Sequence, residues 1–184
     1  MKIAIISSST RTGRQSHRVA LGLELALSKF ENISTELIDL KTANLPLFEE
    51  VMEKASINQN EIRKVYDQLN SADAFLFVTP EYNGSYSSAL QNMVDHYPKS
   101  TFAKKAVGIV TVTTGGMGGM RAALHLQQFI LAFWGIPSPQ MLLVPSVQNK
   151  FDETGNLLDE TFTKNISSFL NEFNWLAKAL KDAK

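Results

Sequence analysis

The chain reads as an α/β protein, a three-layer sandwich built on a five-stranded parallel sheet. Three observations carry this reading. Strand-like and helix-like segments alternate from end to end, and such alternation builds βαβ units with helices on both sheet faces. Ala74–Val78 (AFLFV) is apolar without alternation, the pattern of a strand buried on both faces. Three of the strands also run directly into polar, Ser- or Gly-rich loops that lead into helices.

Lys2–Ile6 is the first strand, and Ser16–Phe30 is a helix with Val19, Leu23, Ala26 and Leu27 on one face. Ile33–Leu40 alternates enough to be the second strand. Lys41–Ser56, with Asn44, Pro46, Glu49 and Glu50, reads as a loop crossing the surface. Asn60–Leu69 is a helix, Ala74–Val78 the third strand, and Tyr86–Tyr97 a helix that Ser85 is placed to cap. Pro80 ends the third strand, because proline has no N–H for the ladder. Ala106–Val112 is the fourth strand, Gly119–Trp134 a helix, Gln140–Val144 the fifth strand and Glu160–Leu180 a closing helix. Five strands joined this way suit the flavodoxin-like order 2-1-3-4-5. No linker, repeat or low-complexity tract divides the chain, so residues 1–184 are expected to form one domain.

Composition narrows the function. Lys plus Arg and Asp plus Glu both number 18, giving a formal net charge of zero. This argues against a charge-driven partner such as nucleic acid or an anionic membrane. Cysteine is absent, which removes thiol nucleophiles, disulfides and Cys-ligated metals. Three scattered histidines do not make a metal site. The start, MKIAIISSS, has too short an apolar stretch for a signal peptide. The run Phe129–Trp134 is far below the roughly 20 residues needed to span a bilayer. The expected location is the cytoplasm.

In a 2-1-3-4-5 sheet the loops after strands 1, 3 and 4 meet at the carboxyl edge, where such folds bind ligands. The first, Ser7–Ser16 (SSSTRTGRQS), is rich in hydroxyls, carries Arg11 and Arg14, and enters a helix N-terminus. Free N–H groups and the helix dipole favour an anion there. The same residues also suit a solvated turn capped by Ser16. The second loop, Glu81–Ser85, holds Tyr82 and Asn83-Gly84, a dipeptide suited to positive φ. The third, Thr113–Ala122 (TTGGMGGMRA), has glycine at four of five successive positions from Gly115. It lets backbone approach a flat or charged ligand, or is a flexible loop before a helix. Together the three suit a planar ring system joined to a phosphate.

On these residues the chain resembles the NADPH-dependent FMN reductase family of flavodoxin-like flavoproteins. The matching motifs are Ser9-Thr10-Arg11 with Ser16, then Pro80-Glu81-Tyr82-Asn83-Gly84-Ser85 followed by Ala89-Leu90-Gln91-Asn92 and Asp95. The third is Gly115-Gly116 with Gly118-Gly119 and Arg121-Ala122. The resemblance implies that Ser9, Arg11, Ser16 and His17 hold the FMN phosphate. It implies that Pro80, Glu81, Tyr82, Asn83 and Gly84 run along the flavin ring, and that Thr114, Gly115 and Gly116 flank its other side. The chain departs from the family pattern at Ser8 (often glycine), Ser87 (commonly proline), Gln91 (usually lysine) and His96 (often tryptophan).

The resemblance further implies an oxidoreductase that passes hydride from NADPH or NADH through FMN to a small-molecule electron acceptor: a quinone, an azo compound, chromate or free flavin. It implies no side-chain nucleophile or acid–base residue. The alternative is a flavodoxin-like electron carrier without enzymatic turnover. Family members commonly dimerise across the helix Tyr86–Tyr97, so a homodimer or homotetramer is expected, with Leu90, Met93, Val94 and Tyr97 at the subunit contact and Asp95 beside it. His96 and His125 are expected at the surface or an interface, and Phe129, Phe133 and Trp134 in the core.

Overall fold

The computed structural model describes residues 1–52 and 60–183. Four parallel strands form most of the sheet: β1 (Lys2–Ser7), β2 (Ser34–Asp39), β3 (Ala74–Pro80) and β4 (Ala106–Val112). Their order is β2-β1-β3-β4, followed by β5 (Ile136–Pro137), with β6 (Leu142–Val144) also paired to β4. The flavodoxin-like order is therefore present, with one difference. The expected fifth strand, Gln140–Val144, is shortened to β6, paired with Val110–Val112, and a two-residue β5 not expected from the sequence pairs with Ala106–Val107 ahead of it. Between them Ser138 donates its N–H to Val107, while Pro139 and Pro137 cannot donate. Two prolines flanking Ser138 thus keep β5 and β6 separate.

Helices α1 (Ser16–Leu27) and α6 (Thr163–Asp182) cover one sheet face. Helices α3 (Asn60–Ser71), α4 (Ser88–Asp95) and α5 (Met120–Ala132) cover the other. Every residue of β3 and β4 is buried, as a doubly covered strand requires. Gly108 of β4 is needed for this packing. A Cβ there would lie 2.4 Å from Leu76 Cδ2 and 3.0 Å from the Phe169 ring of α6.

Several expectations change. A short helix α2 (Leu40–Ala43) opens the Lys41–Ser56 segment, capped by the Asp39 side chain on the Lys41 amide; the part of this segment from Glu53 lies outside the described residues. Helix α4 is capped by Ser87, not Ser85, because Ser85 is bound into the preceding turn. The face Leu90, Met93, Val94 and Tyr97 is buried in the chain's own core. It is not free for a second subunit, because α4 lies with that face on the sheet. Asp95 accepts both of its bonds from the Gln91 amide one turn back. His96 is also buried: its Nε2 lies 3.0 Å from the Pro46 carbonyl and its ring meets Phe48 edge-on. His125 is exposed, as expected. Phe133 is core, but Trp134 is 63% exposed. Helix α5 ends at Ala132, and Trp134 takes a left-handed φ of 65° that turns it outward, under the Lys99 ammonium. Among the described residues no helix is long and apolar enough to cross a membrane.

Candidate active site

Strand register brings the three loops together. Ser7 lies beside Val78, Val78 beside Val110 and Pro80 beside Val112. The loops after β1, β3 and β4 therefore leave adjacent strands at one edge. Tyr82 and Ser85 exchange backbone hydrogen bonds of 2.9 and 3.0 Å. Asn83 and Gly84 between them both have positive φ, 51° and 78°, the geometry of a two-residue hairpin turn that Asn-Gly favours. The turn presents Tyr82, half-buried, beside the first loop.

The first and second loops are joined twice. The Ser9 hydroxyl and the Tyr82 phenol are 2.8 Å apart. The Ser87 hydroxyl lies 2.9 Å from both the Ser8 hydroxyl and the Ser8 carbonyl, in buried surroundings. Ser8 and Ser87, two of the four departures from the family pattern, are thus partners. The second and third loops meet where Gly84 faces Arg121: a Cβ on Gly84 would touch Arg121 Cδ at 3.6 Å. Glu81 Oε2 accepts from the Ala122 amide at 3.4 Å, which helps an α5 N-terminus whose N-cap, Gly119, has no side chain to offer. In the third loop Thr114, Gly115 and Gly116 are exposed, and a Cβ on either glycine would meet nothing within 4 Å. The Gly115 carbonyl is fixed from below by the Ser146 amide and the Thr113 hydroxyl.

The first loop has donors without acceptors. Helix α1 starts after Gln15, which makes no side-chain cap, so its first N–H groups are open to a ligand. The Ser16 hydroxyl in its first turn is buried and has no hydrogen-bond partner. It does not cap the helix. Arg11 is exposed. His17 Nδ1 lies 3.0 Å from the Ser7 hydroxyl. Burial, then the Arg14 charge, push the imidazole below its ordinary 6.5, and Asp39 pulls weakly the other way. His17 therefore adds no full positive charge to the loop at neutral pH. Arg14 and Asp39, outside the set expected from sequence to contact a ligand, form a forked ion pair next to it. Burial pushes the Asp39 carboxyl up, but the Arg14 guanidinium and the Lys41 amide outweigh it and hold it below the usual carboxylate range. The pairing follows from the strand order, since Asp39 closes β2 directly beside Ser7 of β1. Among the described residues no three His, Asp or Glu side chains gather as a metal site.

An uncapped helix start, an orphaned buried hydroxyl, an aromatic turn and an open glycine wall fit a ring-bearing phosphate ester such as FMN. The profile of the NADPH-dependent FMN reductase family matches residues 1–151. The chain belongs to this family. It is 32% identical over 165 residues to an NAD(P)H-dependent FMN reductase of Pseudomonas aeruginosa, covering 87% of this chain and 86% of that one. An NADPH:quinone oxidoreductase of Arabidopsis thaliana is 30% identical over 176 residues, covering 92% and 88%. Among solved structures, the flavoenzyme NAD(P)H:(acceptor) oxidoreductase FerB of Paracoccus denitrificans superposes with a TM-score of 0.80 at 20% identity, covering 96% and 97%. That likeness speaks to the fold. As a member of the FMN reductase family the chain is an FMN-dependent NAD(P)H oxidoreductase, an enzyme and not a simple electron carrier.

Proposed function

We propose that the three loops of this oxidoreductase divide the work of holding FMN. The Ser16 hydroxyl, the open N–H groups at the start of α1 and the Arg11 guanidinium bind the phosphate. Ser9 stands beside them and orients Tyr82 through their shared hydrogen bond. Pro80–Gly84 lies along one side of the ring, and Thr114, Gly115 and Gly116 flank the other. Bound FMN supplies the redox chemistry, taking hydride from NAD(P)H and passing electrons on. The residues around it bind and orient, and none is needed as a nucleophile or acid–base. His17 sits behind the phosphate site, kept neutral by burial and turned by Ser7, so it supports the loop more than it charges it. The open wall at Gly115 and Gly116 leaves room for reductant and acceptor to bind in turn.

The observation that carries this reading is the Ser16 hydroxyl: buried, unpartnered and set in an uncapped helix N-terminus. The proposed acceptor is a small molecule, a quinone, azo compound, chromate or free flavin, reduced in the cytoplasm. The test is steady-state oxidation of NADPH and of NADH by the FMN-reconstituted protein, with benzoquinone, an azo dye, chromate and riboflavin in parallel. Turnover with at least one acceptor is expected. Failure to take up FMN would refute the assignment.

We further propose a homodimer, with its contact moved from α4 to α5. Met120, Leu124 and Leu131 form an exposed apolar row on α5, and burying such a row against a second copy is favourable. Light scattering of the native chain and of Leu124→Glu tests this: a dimer that becomes a monomer is expected, and a native monomer would refute it.

A further inference from the structure

The two arginines of the first loop are in different states. Arg11 is exposed and makes no ion pair or hydrogen bond with any described residue. Arg14 is spent: its side chain is 13% exposed and that of Asp39 12%. Arg14 Nη1 donates to the Ser9 carbonyl at 2.9 Å and to one Asp39 oxygen, while Nη2 donates to the other at 2.6 Å. Asp39 also accepts from the Lys41 amide at 3.0 Å, at the start of α2. A carboxylate at the end of β2 thus holds a guanidinium, and the guanidinium holds the backbone at Ser9. A two-point fork fixes the plane of Arg14 as well as its position.

Besides this fork, the stretch is held at its start by the Ser9–Tyr82 hydrogen bond and near its end by Gln15 Nε2, which donates to the Gly13 carbonyl at 3.0 Å. Thr10, Arg11, Thr12 and Gly13 are all exposed, and a Cβ at Gly13 would touch nothing within 4 Å. Across these exposed residues, which pack on little, the bond that closes the curve from Ser9 to Arg14 is that of Arg14 to the Ser9 carbonyl. That curve carries Arg11 and leads into Ser16. The charge of Arg14 is already matched by Asp39, so Arg11 is left as the cation that reaches an arriving anion.

We infer that Asp39 is a positioning residue of the phosphate site: through Arg14 it holds the Ser9–Ser16 loop in its anion-binding shape. This rests on the phosphate reading of that loop given above. Removing the fork should reduce affinity for the phosphate and leave the contacts to the ring alone. A purely structural role would weaken both together.

The test is titration of the apoprotein with FMN and with riboflavin, which lacks the phosphate, for wild type, Asp39→Asn, Arg14→Gln and the double variant. Wild type should prefer FMN. Each single variant should bind FMN on the order of tenfold more weakly, the loss expected for about one charge-assisted bond, with riboflavin affinity unchanged. The double variant should lose no more than either single one, since both break the same fork. If Asp39→Asn does not fold, Arg14→Gln read against riboflavin decides alone. A wild type that discriminates while both variants bind FMN normally overturns this inference only. A wild type that binds FMN and riboflavin alike overturns the phosphate assignment, and this inference with it.

Discussion

The Ser9 hydroxyl and the Tyr82 phenol, 73 residues apart in sequence, share a 2.8 Å hydrogen bond that ties the loop after β1 to the turn after β3. Tyr82→Phe keeps the ring and removes this tie. A net hydrogen bond is worth about 1 kcal/mol, so FMN affinity should fall roughly fivefold. Ser9→Ala should give a comparable loss. Quenching of flavin fluorescence on titration measures both, and unchanged binding in Tyr82→Phe would show that the tie does not orient the site.

Arg11→Ala removes the cation assigned to the phosphate. The loss of a charge-assisted bond, about 1.5–3 kcal/mol, corresponds to roughly 10- to 150-fold weaker FMN binding. Riboflavin binding should not change. Equal losses for both flavins would place Arg11 elsewhere.

Ser87 does three things at once. It accepts from the Leu90 amide as N-cap of α4, and its hydroxyl meets both the carbonyl and the hydroxyl of Ser8. Ser87→Ala loses the cap and leaves buried groups of Ser8 unpaired, a cost of about 2 kcal/mol. The midpoint of thermal unfolding should drop by about 4–8 °C. A change within 1 °C, on that scale about 0.3–0.5 kcal/mol, would mean that water or a shifted Ser8 replaces it.

Acid should destabilise the protein in two stages. The folded His17 has a lowered pKa, so between that value and 6.5 the unfolded chain binds more protons, and stability falls as pH drops through 6.5. Asp39, Glu36 and Asp73 are also held below their usual values. Their contribution is present above the ordinary carboxylate range and is lost as pH falls through it. Urea midpoints from pH 7.5 to 3.5 should show both declines. His17→Gln should abolish the first and keep the second, and a decline near pH 6 that persists in this variant would assign it to another group.

Gly108→Ala tests the packing of α6 on the sheet. The added methyl would press on Leu76 and Phe169, and overpacking of this kind costs about 1–3 kcal/mol. Denaturant unfolding measures it. A neutral result would mean that the Leu76 and Phe169 side chains move aside freely.

The sequence by itself determined the layer architecture and the Asn83-Gly84 turn. Those follow from local signals: apolar runs, their period, and residues that tolerate positive φ. It also pointed to the three loops, because strand ends and loop chemistry are local too. The tertiary structure alone decided who pairs with whom. Asp39 reaches Arg14 because β2 and β1 are in register, and Ser8 reaches Ser87 because β1 and β3 are. It also turned the apolar face of α4 inward and Trp134 outward. An apolar stripe in sequence states only that it will be covered. Whether the chain's own sheet or a second copy covers it depends on how the helix lies, and that is set by contacts distant in sequence.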